Sequence, residues 1–143
     1  MTDSVFVDTD VLLDLYIQRQ PHHDLALRLF TRLKRDKTRC YTSGVVIANI
    51  YYILTRLMDR QYAIDKVRKL RRLVSIATLD QAMIDAAVAS GMRDFEDSIQ
   101  LHCAIGNRIK TLITRNTADY PKGLIRVADP GQYLSGAEVK KSG

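Results

Sequence analysis

Ser4-Val5-Phe6-Val7-Asp8-Thr9-Asp10-Val11-Leu12-Leu13-Asp14-Leu15 is the stretch on which the fold of this chain turns. Val5, Phe6 and Val7 are strand formers. A polar turn follows at once, and Val11, Leu12 and Leu15 then fall at helical spacing, so the pattern is a buried parallel strand feeding a helix. The strand's carboxyl end carries Asp8. In open α/β sheets ligands bind at that end, and a carboxylate there is costly to bury unless a cation, a hydrogen-bond donor or water meets it. A plainer use is open as well: Asp8 or Thr9 could simply cap the helix that begins near Asp10.

Outward from this strand, helices and short strands alternate with no linker, repeat or low-complexity segment. The spacing predicts helices over 10–18 and 21–34, a strand over 39–42, and a Ser43-capped helix through Leu57. A helix carrying a basic run over 66–73 follows, then a strand over 74–78. Asp80 caps a helix through Ala89 that Ser90-Gly91 stops, and a further helix covers 94–105. Strands over 111–114 and 124–127 and a short helix over 130–134 complete the pattern. Strands separated by helices imply a parallel sheet covered on both faces. The expected architecture is therefore α/β: one domain over 1–136, with a loose tail over 137–143.

The 143 residues suffice to bury a core, and 46% hydrophobic with 27% charged residues is an ordinary soluble balance. No apolar run approaches a membrane span and no signal peptide is visible, so a cytoplasmic location and no membrane partner are expected. Cys40 and Cys103 lack metal or redox spacing and read as small apolar residues. His22, His23 and His102 are too scattered for a zinc site, the first two being expected at the surface. Twenty-two Lys and Arg against sixteen Asp and Glu leave a net charge of +6, a balance that favours polyanions such as nucleic acid. The basic residues of 66–73 read either as the solvated face of an amphipathic helix or as a phosphate-binding surface.

Polar clusters fall at recurrent places. Asp8 and Asp10 follow one strand, and Asn116 and Asp119 follow another. Asn49 and the run Asp94-Phe95-Glu96-Asp97 lie on helices able to reach the same end of the sheet. Carboxylates gathered at one rim raise one another's pKa unless hard divalent cations neutralise them, and oxygen ligands with few histidines select Mg²⁺ or Mn²⁺. Asp94 and Asp97 could alternatively be only a helix cap and a first-turn acid.

Four segments together resemble the PIN domain family, whose members are largely metal-dependent ribonucleases and include the VapC-type toxins. They are Val5 to Asp14, Ile47-Ala48-Asn49-Ile50-Tyr51-Tyr52-Ile53-Leu54, Asp94-Phe95-Glu96-Asp97, and Thr114-Arg115-Asn116-Thr117-Ala118-Asp119-Tyr120. The resemblance implies a three-layer α/β/α sandwich around a parallel sheet of about five short strands. It implies Asp8 and Asp97 as metal-binding acids, assisted by Asp94 and Asp119, with Asn49, Asn116 and Asp119 completing the catalytic rim and Thr9 and Thr114 as polar support. The implied reaction is Mg²⁺- or Mn²⁺-dependent hydrolysis of single-stranded RNA. The partners it allows are that RNA, an antitoxin protein and a second copy in a homodimer. Two residues depart from the family pattern. Asn49 stands where many active members carry glutamate, and Asn116 stands where aspartate is common, so the site carries less charge than four acids would give, a deficit for which Asp10, Asp94 and Asp119 are the expected compensation. The rival expectations are a non-catalytic PIN module that binds RNA or protein, and, more distantly, a haloacid-dehalogenase-type phosphatase with Asp8 as nucleophile.

Overall fold

A computed structural model of the chain describes residues 3–142, with side chains through residue 136. Its strands are β1 (Ser4–Val7), β2 (Arg39–Thr42), β3 (Ser75–Ile76), β4 (Thr111–Ile113) and β5 (Arg126–Ala128). All pair in parallel, in the order β3-β2-β1-β4-β5. Helices α1 (Thr9–Leu13) and α2 (His22–Arg35) join β1 to β2, while α3 (Gly44–Leu57) and α4 (Arg60–Leu73) join β2 to β3. The chain then crosses back through α5 (Gln81–Ala89) and α6 (Phe95–Gly106) to β4. A 3-10 turn at Thr117–Asp119 precedes β5, and α7 (Pro130–Ser142) ends the fold. The strand order reverses between β1 and β4, which makes their carboxyl ends the topological switch point where a ligand crevice opens.

The alternation within β1 sorts the core into two layers. Val5 and Val7 pack with Val11, Leu12, Leu29, Leu33, Ile50, Leu54 and Leu70 from α1 to α4, whereas Phe6 faces the other way onto Leu101, Cys103 and Ala104 of α6. Leu112 and Ile113 of β4 divide in the same manner. The result is the expected three-layer sandwich, because a strand's side chains alternate between faces and each face here meets helices. Leu12, Leu29, Ile50 and Leu70 are fully buried, and each contributes roughly 1.5–3 kcal/mol by leaving water.

Four of the helices start as their residues dictate. Ser43, Asp59, Asp80 and Asp94 each accept a hydrogen bond from the amide three residues on, satisfying one of the helix's orphan donors. Ser43 has a further role: its hydroxyl donates to Gln100 Oε1 at 2.7 Å, locking the start of α3 to α6 through two buried side chains.

Several boundaries differ from the sequence pattern. α1 stops at Leu13 rather than continuing to 18, because the amides of Leu15 and Tyr16 turn to the carbonyls three residues back. β3 is a two-residue edge strand paired only through Ser75 and Ile76, and β5 begins at Arg126, leaving Leu124 exposed. α7 runs to Ser142 rather than to Leu134. Ala137-Glu138-Val139-Lys140-Lys141 contains no proline or glycine to stop a helix, so the backbone expected as a loose tail is helical as far as Ser142. Gly143 lies outside the described residues. Cys40 and Cys103 are buried free thiols, pushed up by burial to about 12 and about 11, as small apolar residues would be.

Candidate metal centre at the carboxyl edge of the sheet

Asp8 is 7% exposed at the end of β1. Its Oδ1 accepts from the Thr9 amide at 2.8 Å, so it does cap α1. The cap leaves Oδ2 for other work: it accepts from the Tyr120 hydroxyl at 2.9 Å and from Thr114 Oγ1 at 3.1 Å. Capping and site chemistry are thus served by different oxygens of one carboxylate. Burial, and then the neighbouring Asp10, push the Asp8 carboxyl above its ordinary pKa, and the three donors hold it back.

Asp97 reaches the same point from the first turn of α6. Tyr120 Oη lies 3.4 Å from Asp97 Oδ1 as well as 2.9 Å from Asp8 Oδ2, and a phenol has one proton to give. The hydroxyl therefore serves the nearer Asp8 and leaves Asp97 with a weak donor. Burial first, then the charges of Asp8 and Asp94, push the Asp97 carboxyl up to about 7. Asp94 is exposed and spends Oδ1 on the Asp97 amide at 3.0 Å. Asp119 is exposed at the end of the 3-10 turn, close enough for its charge to raise Asp97 further.

Asp10 belongs to a second, structural group. Its Oδ2 accepts from the Arg115 amide at 3.0 Å and from Asn116 Nδ2 at 3.3 Å, tying α1 to the segment after β4. Asn116 is itself exposed and spends its amide on Asp10 rather than on Asp8 or Asp97. Arg115 completes the tie by bonding Asp14 with Nε at 2.8 Å and Nη2 at 3.5 Å. Thr9 does not support the site through its side chain, as the resemblance implied: its Oγ1 is buried without a partner, and the backbone amide supplies the bond. His23 is not at the surface either; it is half-buried, with Nδ1 against the Asp14 carbonyl at 2.8 Å.

Asn49, on α3, is partly buried, and its Nδ2 donates to Glu96 Oε1. Glu96 and Tyr120 are the residues of the rim to which sequence reasoning gave no role. Both stand inside quoted motifs, but a glutamate in a helix's first turn reads as a solvated acid, and a tyrosine before a proline reads as core. A cleft of about 420 Å³ between Asp14, His22, Leu25, Arg115, Asn116 and Pro130 adjoins the rim and shares only Asn116 with the residues proposed for it.

The donors are of the kind a hard divalent cation takes: carboxylates and hydroxyls, with Asp8 raised by burial and then by Asp10, Asp97 raised by burial and then by Asp8, and, among the described residues, no lysine or arginine bonded to either. Among the described residues no group of three or more His, Cys, Asp or Glu side chains is arranged to hold a metal ion.

The fold and site define a class of protein: a three-layer α/β sandwich with acids gathered at its switch point. Residues 4–118 match the PIN domain family, and the chain belongs to that family. It is 23% identical over 124 residues to the Ribonuclease VapC1 of Aquifex aeolicus (strain VF5), covering 83% of this chain and 85% of that protein. The fold is shared with VapBC2 from Rickettsia felis bound to a DNA fragment from its promoter, at a TM-score of 0.71 and 13% identity over 88% of this chain and 98% of that one. It is likewise similar to VapC20 of Mycobacterium tuberculosis, a Sarcin-Ricin loop cleaving toxin, at a TM-score of 0.59 and 20% identity over 76% of this chain and 86% of that one. Family membership displaces the phosphatase expectation.

Proposed function

We propose that this chain is a divalent-metal-dependent endoribonuclease of the VapC type, acting on single-stranded RNA in the cytoplasm as the toxin of a toxin–antitoxin pair. The observation that carries the proposal is the convergence of Asp8 and Asp97 on one hydroxyl, Tyr120 Oη, at the switch point of a PIN domain. The similarity to a ribonuclease VapC and to proteins solved as VapBC complexes supports the same reading and the antitoxin partner.

Asp8 and Asp97 would hold the cation, with Asp94 and Asp119 adding negative charge around it. When bound, Mg²⁺ or Mn²⁺ supplies charge neutralisation at the scissile phosphate and a water acidic enough to act as nucleophile. Tyr120 fixes Asp8 Oδ2, and Thr114 fixes the same oxygen from β4, so that carboxylate does not rotate when substrate arrives. Without a cation, burial and the neighbouring acids hold the Asp97 carboxyl up at about 7, so Mg²⁺ or Mn²⁺ would bind in competition with its proton. Arg115 is committed to Asp14, so RNA phosphates are met by other basic residues.

The test is cleavage of an end-labelled single-stranded RNA in Mn²⁺. We expect internal cuts that a chelator abolishes and that Asp8→Asn or Asp97→Asn lowers by about 10³-fold or more, the scale on which removing one group of a catalytic set acts. Intact RNA, with binding of the same RNA retained, would favour the non-catalytic module instead.

A further inference from the structure

The cleft beside the rim has no role in the account above. Segments at the carboxyl edge of the sheet build it: Asp14 ends α1 after β1, Arg115 and Asn116 follow β4, Asp129 follows β5, and the start of α2 adds the apolar Pro21 and Leu25. It therefore continues the switch-point crevice past the acids rather than opening on a remote face. Its volume, about 420 Å³, lies within the roughly 300–1,000 Å³ of clefts that take a small molecule.

Charge decides what kind of group suits it. Asp14 and Arg115 neutralise each other across 2.8 Å, which leaves Asp129 as the surplus charge among them. The start of α7 could otherwise attract a phosphate, but Asp129 fills it: its Oδ1 accepts from the Gln132 amide at 2.7 Å, and Gln132 Oε1 accepts from the Asp129 amide at 2.9 Å. A phosphate is disfavoured there. A neutral, flat group with N–H donors at its edge is favoured. Asn116 spends Nδ2 on Asp10 and Asp129 spends Oδ1 on α7, so Asn116 Oδ1 and Asp129 Oδ2 are the acceptors left for such a group. Pro21 and Leu25 supply apolar contact. The guanidinium of Arg115, fixed by its two-pronged bond to Asp14, supplies a plane of the kind on which an unstacked base packs.

We infer that this cleft is a base-reading subsite for the RNA nucleotide next to the scissile phosphate, and that Asp129 selects guanine there through the donors on its Watson–Crick edge. The inference rests on the ribonuclease reading of the neighbouring rim and deepens it. Guanine alone among the bases presents two neighbouring N–H nitrogens, N1 and N2, to a carboxylate, whereas each other base presents one. The cleft is also held in register with the acids. The Asn116 amide donates to Thr114 Oγ1 at 3.2 Å, and Thr114 Oγ1 donates to Asp8 Oδ2 at 3.1 Å. A base lodged in the cleft thereby sets which phosphate lies against Asp8 and Asp97.

The experiment is competition cleavage in Mn²⁺ by the full chain, on an equimolar mixture of short single-stranded oligouridylates that carry U, A, C or G at one central position. Relative kcat/KM values and the cut sites are read from the products, and melting temperatures are measured beside them. The RNA with G should be cut about tenfold or more faster than the all-U RNA, the discrimination of one two-pronged base contact, and at one fixed phosphate beside the G. Asp129→Asn keeps the cap on α7, since asparagine caps as well as aspartate, but puts a donor where the cleft had an acceptor. Its preference for G should fall to within about threefold while its melting temperature stays near that of wild type. Gly131→Leu fills the same cleft from the first turn of α7. Apart from its chain neighbours and its own helix backbone, a Cβ there meets only Asp129 Oδ1, at 3.4 Å, and leucine is the better helix former. That variant should cut the RNA with G no faster than the all-U RNA, with a melting temperature equal to wild type or higher. Equal cutting of all the RNAs by the wild-type chain, or a preference for another base, overturns the inference and leaves the ribonuclease reading standing; Asp129 would then be left to meet a cationic peptide side chain. A G preference that survives unchanged in Asp129→Asn and Gly131→Leu overturns it as well. A wild-type chain that cuts none of these RNAs overturns the ribonuclease reading on single strands, and this inference with it.

Discussion

Tyr120 shows how much of this site depends on one proton. Its hydroxyl is buried between Asp8 and Asp97, and burial first, then both charges, raise its own pKa, so it remains a donor across the working range. Tyr120→Phe keeps the ring in the α6-side core and removes only that donor. In chelator we expect a loss of about 1.5–3 kcal/mol, the scale of a hydrogen bond to a charged group, read from urea denaturation. A loss below about 0.5 kcal/mol would mean that water replaces the phenol and that Asp8 does not depend on it. Asp97 gives a pH signature. Its folded pKa, about 7, lies above the ordinary 3.8, so the folded state holds the extra proton between those values. The associated stability is fully present below about 3.8 and is lost as pH rises through about 7. Asp97→Asn should therefore raise the melting temperature in chelator at pH 8, by on the order of 2–4 °C after allowance for solvent screening of a half-exposed group, and flatten the decline from pH 5 to pH 8. A variant whose decline matches that of wild type would assign the raised pKa to another acid.

Among elements, the tie between α1 and the segment after β4 bears most of the geometry. Asp14 is 3% exposed at its side chain, and Arg115, at 27%, is the cation that meets it. The same residue's amide holds Asp10, so the carboxyl ends of β1 and β4 are fastened by one residue's backbone and side chain together. Arg115→Met keeps the stem and strands a buried carboxylate. Its cost should be about 3 kcal/mol, near the lower end for breaking a buried pair because the guanidinium is partly solvated. Arg115→Lys should recover little, since an ammonium cannot make the two-pronged contact. Thermal or urea unfolding of both variants would check this; full recovery in the lysine variant would show that charge alone matters.

At the scale of the molecule, a net charge of +6 surrounds an acidic crevice. Part of α4's basic run is neutralised within the chain, because Lys66 and Lys69 both meet Asp65, at 3.6 and 3.5 Å. Arg68 and Arg72 lie four residues apart on that helix and are both exposed, which gives the phosphate-binding expectation a specific form. Replacing both by glutamine should weaken binding of a single-stranded RNA and lower the slope of log affinity against log salt by about 1.4, two phosphate contacts at about 0.7 each. Equal slopes would place the RNA elsewhere and leave these arginines as a solvated face. Within the described residues no helix is long and apolar enough to cross a membrane.

What the sequence determined by itself was everything governed by neighbours along the chain. Val5 to Val7 define a strand because strand propensity and the turn that follows act within a few residues, and Ser43, Asp80 and Asp94 start helices because a cap bonds an amide three positions on. The alternation of such elements was enough to imply the layers, and the resemblance placed Asp8 and Asp97 at the sheet's carboxyl edge, where both lie. Only the tertiary structure decided which polar groups meet across the chain. It divided the acids into a crevice group around Asp8 and Asp97 and a structural group around Asp10 and Asp14, though Asp8 and Asp10 are two residues apart and equally conspicuous in sequence. It drew Tyr120 and Glu96 into the rim, and it gave Asn49 a carboxylate partner on another helix. The reason is range: propensities and caps are set by local backbone geometry, whereas the environment of a side chain depends on residues some 50 to 110 positions away that the folded sheet alone brings within 3.5 Å.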